Sequence, residues 1–570
     1  MNKKLSSIFS NIALFLEIDG VPFKPQAYVK AAGILQTMQE QVEDVYAREG
    51  EKGLMAIPGI GKAISGKIVE YITTGNIKEY EALKKKIPVD VAELTSIEGV
   101  GPRMVRDLYK VLRVKTLADL ERAATAGKIR TIPNFGEKTE KNILEGIKFV
   151  KNARGRRLLG DMYPFAQDIV QRLKEASYIK KAVVAGSIRR GKETVRDIDI
   201  LIATDTPEKT MEYVLSILPH EKVWGKGATK ISVRAKEGFD VDVRVIPKEV
   251  FGAGLQYVTG SKEHNVRLRA YAAKKGYTLN EYGLFRGKKL IAGKSEHDVY
   301  GALGMAYIEP ELRENQGEIE AALAGTLPYS IPYGSIRGDL QIQTDWTDGK
   351  NSIEEMAREG KRQKLEYIAI TDHTRDLAMV GGSDEKKIMR QIKEIDRVQK
   401  KVSGIKILKG AEVNIRKDGT LDVEDAVLAR LDVVGISVHS NFKMSEKDMT
   451  QRIIRAMRNP HADILFHPTG RLINKREPYE VDMKAIINEA KKTGTVLEIN
   501  AFPVRLDLRD VYIRQAKDAG CTFAINSDAH AIEHMGYVHY GVAQARRGWL
   551  EKKHVVNCWS AKKMISMLKK

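Results

Sequence analysis

Three rhythms of apolar and polar positions divide the chain. Through residues 1–80, helical patterns alternate with glycine turns, and the same apolar–glycine–helix pattern recurs from Ile97 and from Ile132, which predicts short helices. From Val183 to Thr204 (VVAGSIRRGKETVRDIDILIAT) an apolar strand leads into Gly186-Ser187 and a basic loop, and Asp197-Ile198-Asp199 then opens a second apolar strand. Alternation places Asp197 and Asp199 on one face of that strand. A further strand, Phe239-Asp240-Val241-Asp242-Val243-Arg244-Val245, sets Asp240 and Asp242 on one face and the valines on the other. After residue 335, apolar runs alternate with helical segments, which predicts β/α units. Seven strands are expected there: GDLQIQTDW at 338–346, YIAITDH ending at His373, and runs around Glu412, His439, His467 and Glu498, with FAINSDAH ending at His530.

Size and charge narrow the picture. A chain of 570 residues exceeds a single core, and domains of about 100–200 residues predict three to five of them. A formal net charge of +20 favours a polyanionic partner. No run of roughly 18 apolar residues predicts a membrane helix, and the N-terminal MNKKLSSIFSNIALFLEIDG reads as an amphipathic helix rather than a signal peptide. Two distant cysteines, Cys521 and Cys558, suggest a reducing, cytoplasmic compartment.

Candidate chemistry follows from the same segments. Ile57-Pro58-Gly59-Ile60-Gly61-Lys62 precedes a helix, and Ile97-Glu98-Gly99-Val100-Gly101-Pro102 repeats the pattern. A degenerate third copy is Ile132-Pro133-Asn134-Phe135-Gly136-Glu137. Glycines allow a tight hairpin whose following helix start offers N–H groups to a phosphate, a grip on the DNA backbone that ignores sequence. One such turn is ordinary between packed helices; two in a basic chain point to DNA. Lys67, one turn into the first of these helices, reads as a charge contact, or as an amine nucleophile if nearby cations lower its pKa. Asp at a strand end is often only a turn former. Asp197, Asp199 and Asp242 together, behind a Gly-Ser loop, make a three-carboxylate cluster suited to Mg²⁺ and to two-metal phosphoryl transfer. Arg189, Arg190, Lys192 and Arg196 crowd the loop where a triphosphate would lie. Gly225–Lys230 lacks Walker A spacing, the stretch after Asn265 reads as a basic helix, and 310–334 reads as a linker. Six of the seven C-terminal strands end in His, Asp or Glu, and eight of the eleven histidines follow residue 335, which predicts metal ions at a barrel rim.

These motifs resemble the bacterial- and archaeal-type family X DNA polymerases with a C-terminal PHP (polymerase and histidinol phosphatase) domain, over essentially the whole chain. GSIRRG…DIDILI, FDVDVRVIP and YVTGSKEHN resemble the palm and thumb of polymerase beta relatives. The resemblance implies α-helical lyase and fingers domains with helix-hairpin-helix motifs, an α+β nucleotidyltransferase palm, an α/β thumb and a distorted (β/α)7 PHP barrel. It implies boundaries at 1–80 (lyase-like), 81–150 (fingers), 151–250 (palm), 251–318 (thumb), 319–334 (linker) and 335–570 (PHP). It gives Asp197, Asp199 and Asp242 two Mg²⁺ or Mn²⁺ ions, one activating the primer 3′-hydroxyl with Asp242 as proton acceptor, the other neutralising pyrophosphate. It assigns Gly186, Ser187 and Arg190 to the triphosphate, Tyr257 and Gly260 to the sugar, and Asn265 and Arg269 to the nascent base pair and template. Val258 departs from the Phe that relatives often carry after that Tyr. DNA backbone is assigned to Gly59, Gly61, Lys62, Gly99 and Gly101, and Lys67 matches the Schiff-base lysine of a 5′-deoxyribose-phosphate lyase.

In the PHP domain the resemblance implies Mn²⁺ or Zn²⁺ sites. One is Glu412, His439 and His467; another is Asp348, His373 and His530. A third would need Gln341, Gln343, Glu412 and Asp528, where the family's His-x-His is replaced by two glutamines; two ions rather than three, and an impaired 3′–5′ exonuclease, are expected. The expected activity is gap filling in base-excision repair by a monomer acting on gapped or primer–template DNA with deoxynucleoside triphosphates. The alternatives are a PHP exonuclease or phosphoesterase whose N-terminal half docks DNA, and a non-enzymatic DNA-end scaffold.

Overall fold

A computed structural model describes residues 1–38, 41–57, 59–95, 97, 100–133, 135–153 and 155–568. It contains two compact units, Met1–Arg154 with Asn474–Arg476, and Gly155–Ile473 with Glu477–Lys570.

The first unit is helical. Asn2–Asp19, Lys24–Thr37, Val42–Ala56 and Lys62–Thr74 are followed by Lys78–Lys86, Val91–Thr95, Pro102–Leu112, Leu117–Thr125 and Glu137–Ala153. One apolar core runs through it, with Leu5, Phe9, Leu35, Ile68, Leu108 and Leu120 fully buried. The three expected hairpins share one turn: Ile60, Val100 and Phe135 each donate a backbone N–H to the carbonyl three residues earlier, at 3.0 Å. Gly61 and Gly101 are the N-caps of the helices that follow. The third, degenerate copy thus keeps the hairpin form; its Asn134 lies outside the described residues.

The second unit contains three sheets of three or more strands. Its five-stranded sheet runs in the order Ile179–Val184, Asp197–Thr204, Asp240–Ile246, Lys230–Ala235, His220–Lys226. Asp197–Thr204 and Asp240–Ile246 are parallel, with Asp199 opposite Asp242 and Asp197 opposite Asp240. The valines of Asp240–Ile246 are buried and its polar residues are half-buried, as alternation predicts. The Gly-rich stretch 225–230 is the turn of an antiparallel hairpin. Phe251–Thr259 and the expected basic helix, Lys262–Lys274, lead to a small antiparallel sheet of Thr278–Asn280, Gly283–Arg286 and Lys289–Ala292.

The 310–334 stretch is not a bare linker. Glu318–Ala324 is a helix that buries Ile319 and Ala322, and Glu318 accepts from the buried His264 ring at 2.7 Å and from the backbone N–H groups of Asn315 and Gln316. Glu318 thus serves as an internal hydrogen-bond partner.

Beyond it, the seven expected strands form a parallel sheet in sequence order: Gly338–Ile342, Tyr367–Ile370, Lys406–Asn414, Val433–Ser437, Ile464–Leu465, Val496–Asn500 and Phe523–Asn526. A bridge between Ile342 and Ala529 brings the last strand back to the first, nearly closing a barrel. Leu340, Ala369, Leu408, Ile464 and Ala524 fill its interior.

Candidate active sites

The first site lies at the start of the two parallel aspartate strands. Asp197 and Asp199 are half-buried beside a cleft of about 880 Å³. The same cleft is lined by Gly186, Ser187, Arg190, Tyr257, Gly260, Asn265 and Arg269, so residues spread over more than eighty positions converge on one place. Asp242 sits opposite Asp199 on the neighbouring strand, 3.4 Å from the Lys230 ammonium. Asp240, on the same strand face, is engaged by Arg234 and by the Trp224 ring N–H, each at 3.2 Å.

Burial, reinforced by the charges of Asp197 and Asp242, pushes the Asp199 carboxyl up to about 7. Burial and Asp242 likewise raise Asp197. Three hard oxygen donors whose ionisation is mutually opposed fit divalent cations, which remove that opposition. Gly186 has φ +59°, and a Cβ there would lie 1.9 Å from an Asp199 carboxylate oxygen, so only glycine lets the Gly-Ser turn close on this carboxylate.

Not every cation of the Gly186–Arg196 segment faces the cleft. Arg189 turns away, giving Thr259 Oγ1 a bond of 2.6 Å and gripping Glu296 through both terminal nitrogens at 2.9 and 2.6 Å. Burial raises the Glu296 carboxyl, but Arg313 and Arg189 outweigh it and hold it at about 2. Arg190, by contrast, lines the cleft while its Nε donates to Glu314 at 2.9 Å. Asn265 is fixed by donating to the Tyr257 carbonyl and accepting from Gln256, both at 2.8 Å. Arg156 also lines the cleft and had no motif to single it out among 95 Lys and Arg, and Lys262, inside YVTGSKEHN, lines it as well.

The second site is the barrel rim. His373 Nε2 and His530 Nε2 each lie 3.6 Å from a carboxylate oxygen of Asp348. Glu412, fully buried, receives His439 Nε2 at 3.1 Å and His467 Nε2 at 2.8 Å, with His373 Nδ1 at 3.5 Å. Asp348, His373 and His530 come together as one group of candidate ligands, and His373 also joins Glu412 and His439 in a second, with His467 reaching the same Glu412 oxygen as His439. The buried Nδ1 atoms of His373 and His467 have no hydrogen-bond partner among the described residues, which suits nitrogens reserved for an ion. Burial pushes His439 down to about 4, so it is a neutral imidazole at ordinary pH. Burial also lowers His530, yet Asp348 and Asp528 outweigh it and carry the ring up to about 9.

The position of the missing His-x-His does not fit a metal. Gln341 and Gln343 both turn their amide nitrogens to Glu412, at 3.2 and 2.6 Å. Their oxygens are taken by Asn500 at 3.1 Å and Thr371 at 3.3 Å. An NH₂ group offers a cation no lone pair. Asp528 instead holds Arg505, 3.2 Å away, and Asn500. Arg505 and Asn500 were missed in the sequence, because neither type stands out at a strand end. Glu498 is fully buried, accepts from His467 N–H at 2.7 Å and Asn526 at 2.7 Å, and is a support for the rim, with burial holding its carboxyl well above the usual range.

In the helical unit, Lys67 is 3.2 Å from Glu70 and 3.5 Å from Glu79, and Glu79 also accepts from Lys24 and Tyr28. Gly59, at φ +89°, Gly61 and Lys62 form the first hairpin and its helix start; Gly101 caps the second, whose Gly99 lies outside the described residues.

Family models match four segments: a helix-hairpin-helix domain over residues 1–77, a SAM-like helix-hairpin-helix tandem over 91–148, a DNA polymerase beta thumb over 254–314 and a PHP domain over 339–501. The chain is 36% identical to the DNA polymerase/3′-5′ exonuclease PolX of Bacillus subtilis over the full length of both. Over 55% of its length it is 25% identical to 62% of DNA polymerase lambda of Arabidopsis thaliana. A third of it is 31% identical to 72% of a probable phosphatase of Caldanaerobacter subterraneus. No helix among the described residues is long and apolar enough to cross a membrane.

Proposed function

Because the chain belongs to the family X DNA polymerases with a C-terminal PHP domain, and is a DNA-directed DNA polymerase, we propose that it fills short gaps during base-excision repair. The observation that carries this reading is the single cleft joining the paired aspartates to Ser187, Arg190, Tyr257 and Asn265. Asp197, Asp199 and Asp242 would hold divalent cations, Mg²⁺ or Mn²⁺, which supply charge for a two-metal nucleotidyl transfer. Gly186, Ser187 and Arg190 bind the triphosphate, Tyr257 and Gly260 meet the sugar, and Asn265 and Arg269 meet the nascent pair. Asp242 takes the primer hydroxyl proton as its oxygen bonds the α-phosphorus and the bond to pyrophosphate breaks. The hairpins at Gly59–Lys62 and Gly101 grip backbone phosphate. Primer extension on gapped, nicked and single-stranded DNA tests this: gapped DNA should be extended best, and Asp242→Ala should abolish extension. Equal extension of single strands would favour template-free addition instead.

The barrel rim is a metallo-phosphoesterase site with a weakened nuclease. Asp348, His373 and His530, and Glu412, His439 and His467, would hold Mn²⁺ or Zn²⁺. The Gln341 and Gln343 amides facing Glu412 support two ions per chain rather than three. Elemental analysis after metal loading checks this, and three tightly held ions in the PHP domain would contradict it.

Lys67 serves more readily as a charged contact than as a lyase nucleophile, since Glu70 and Glu79 both engage its ammonium. Borohydride trapping decides: a cross-link to abasic DNA that disappears in Lys67→Ala would establish the lyase.

A further inference from the structure

One carboxylate joins three domains of the second unit. Glu314, from the polymerase beta-like thumb segment, accepts from Arg190 Nε of the nucleotide cleft at 2.9 Å. The same oxygen accepts from Arg547 Nη1 of the PHP domain at 3.0 Å, and the other lies 3.7 Å from Lys192. Arg547 is almost fully buried; its second nitrogen is 2.5 Å from Asp510, and its first also donates to the Arg190 carbonyl at 3.0 Å. One turn earlier on the PHP helix Val538–Arg547, Gln544 donates to the Gly191 carbonyl at 3.2 Å. Gly191, at φ +62°, lies so close to Ala543 that an added Cβ would be 2.9 Å from its methyl group. Arg471, also from the PHP domain, grips Glu193 of the same loop at 2.6 and 3.2 Å. Residues 190–193, the loop that carries Arg190, are therefore held from outside at three points by the PHP domain.

We propose that the PHP domain has a second function as the outer wall of the polymerase nucleotide site, with Arg547 the positioning residue that sets Arg190 for the triphosphate. Two effects act together. Arg547 fixes the Glu314 carboxylate and the Arg190 backbone, so the Arg190 guanidinium is held in one orientation before nucleotide arrives. Arg547 also supplies the third cation against the carboxylates of Glu314 and Asp510. Without it, those two would offset the charges of Arg190 and Lys192 and weaken the loop's attraction for a triphosphate. The proposal rests on the reading that Arg190 binds the triphosphate.

The test is steady-state gap filling by the full-length protein. Arg547→Met should raise the KM for deoxynucleoside triphosphate about tenfold while kcat changes by less than about threefold. Arg547→Lys, which restores the charge, should recover most of that loss. If Arg547→Met does not fold, Arg547→Gln keeps a donor for the Arg190 carbonyl and should show the same rise. A folded Arg547→Met with unchanged KM, or with reduced kcat and thermal stability at constant KM, overturns the proposal. Arg190→Ala separates the two layers. A raised KM there beside an unchanged one in Arg547→Met removes the proposal alone, whereas an unchanged KM in Arg190→Ala removes the reading of the cleft and the proposal with it.

Discussion

Asp199, pushed up to about 7 by burial and by two neighbouring carboxylates, is about half protonated at neutral pH. An unfolded Asp ionises near pH 4. Below that the group is protonated in both states and costs nothing. Between about 4 and 7 the unfolded chain ionises while the fold keeps the proton, and above 7 the full destabilisation is present. A bound divalent cation cancels it. Thermal unfolding should therefore show a Mg²⁺-induced rise in Tm that is a few degrees larger at pH 8 than at pH 5.5. A rise independent of pH would contradict this assignment. Gly186 gives a second residue-level outcome. Gly186→Ala must displace Asp199 and adopt a positive φ, so kcat should fall about a hundredfold while circular dichroism stays native. The aspartate trio was legible because alternation is a property of the strand alone. The turning of Arg189 to Glu296 was not, because its partner lies more than a hundred residues away.

At the scale of elements, the helix-hairpin-helix units and the barrel strands make separate predictions. Gly59→Ala meets both a positive φ and an Ile34 methyl 2.5 Å from its new Cβ. It should weaken binding to gapped DNA by about three- to tenfold and flatten its salt dependence, with kcat at saturating DNA unchanged; fluorescence titration at two ionic strengths reads this. On the barrel, Gln341→His with Gln343→His replaces two amide donors by two imidazoles beside Glu412 and Asp528. The 3′–5′ nuclease rate should rise tenfold or more, about the range seen when metal ligands and their supports are altered. No gain would show that the glutamines do not limit the site. The strands themselves were readable from apolar runs ending in His, Asp or Glu. The helix Glu318–Ala324 was hidden because Glu318 bonds inward, to His264 and to backbone, whereas composition alone assigns such a residue to solvent.

At the scale of the molecule, the palm, thumb and PHP segments share their cores. Leu506 and Tyr540 of the PHP domain belong to the apolar cluster of the palm, and Trp549 belongs to that of the thumb. Burying each such side chain contributes about 1.5–3 kcal/mol. A chain ending near residue 330 should therefore lose roughly 10 °C or more of Tm in its polymerase part, measured by calorimetry; an unchanged transition would mean the domains are independent. The sequence by itself determined the hairpins, the aspartate strands and the rim of candidate metal ligands, because each is written in a period of two or 3.6 residues or in a short motif. Only the tertiary structure decided that Glu314 stands between Arg190 and Arg547, that Arg189 leaves the cleft and that two glutamine amides face Glu412 nitrogen first. Those contacts join residues far apart in the chain, and their geometry follows from how whole layers pack, which no local pattern records.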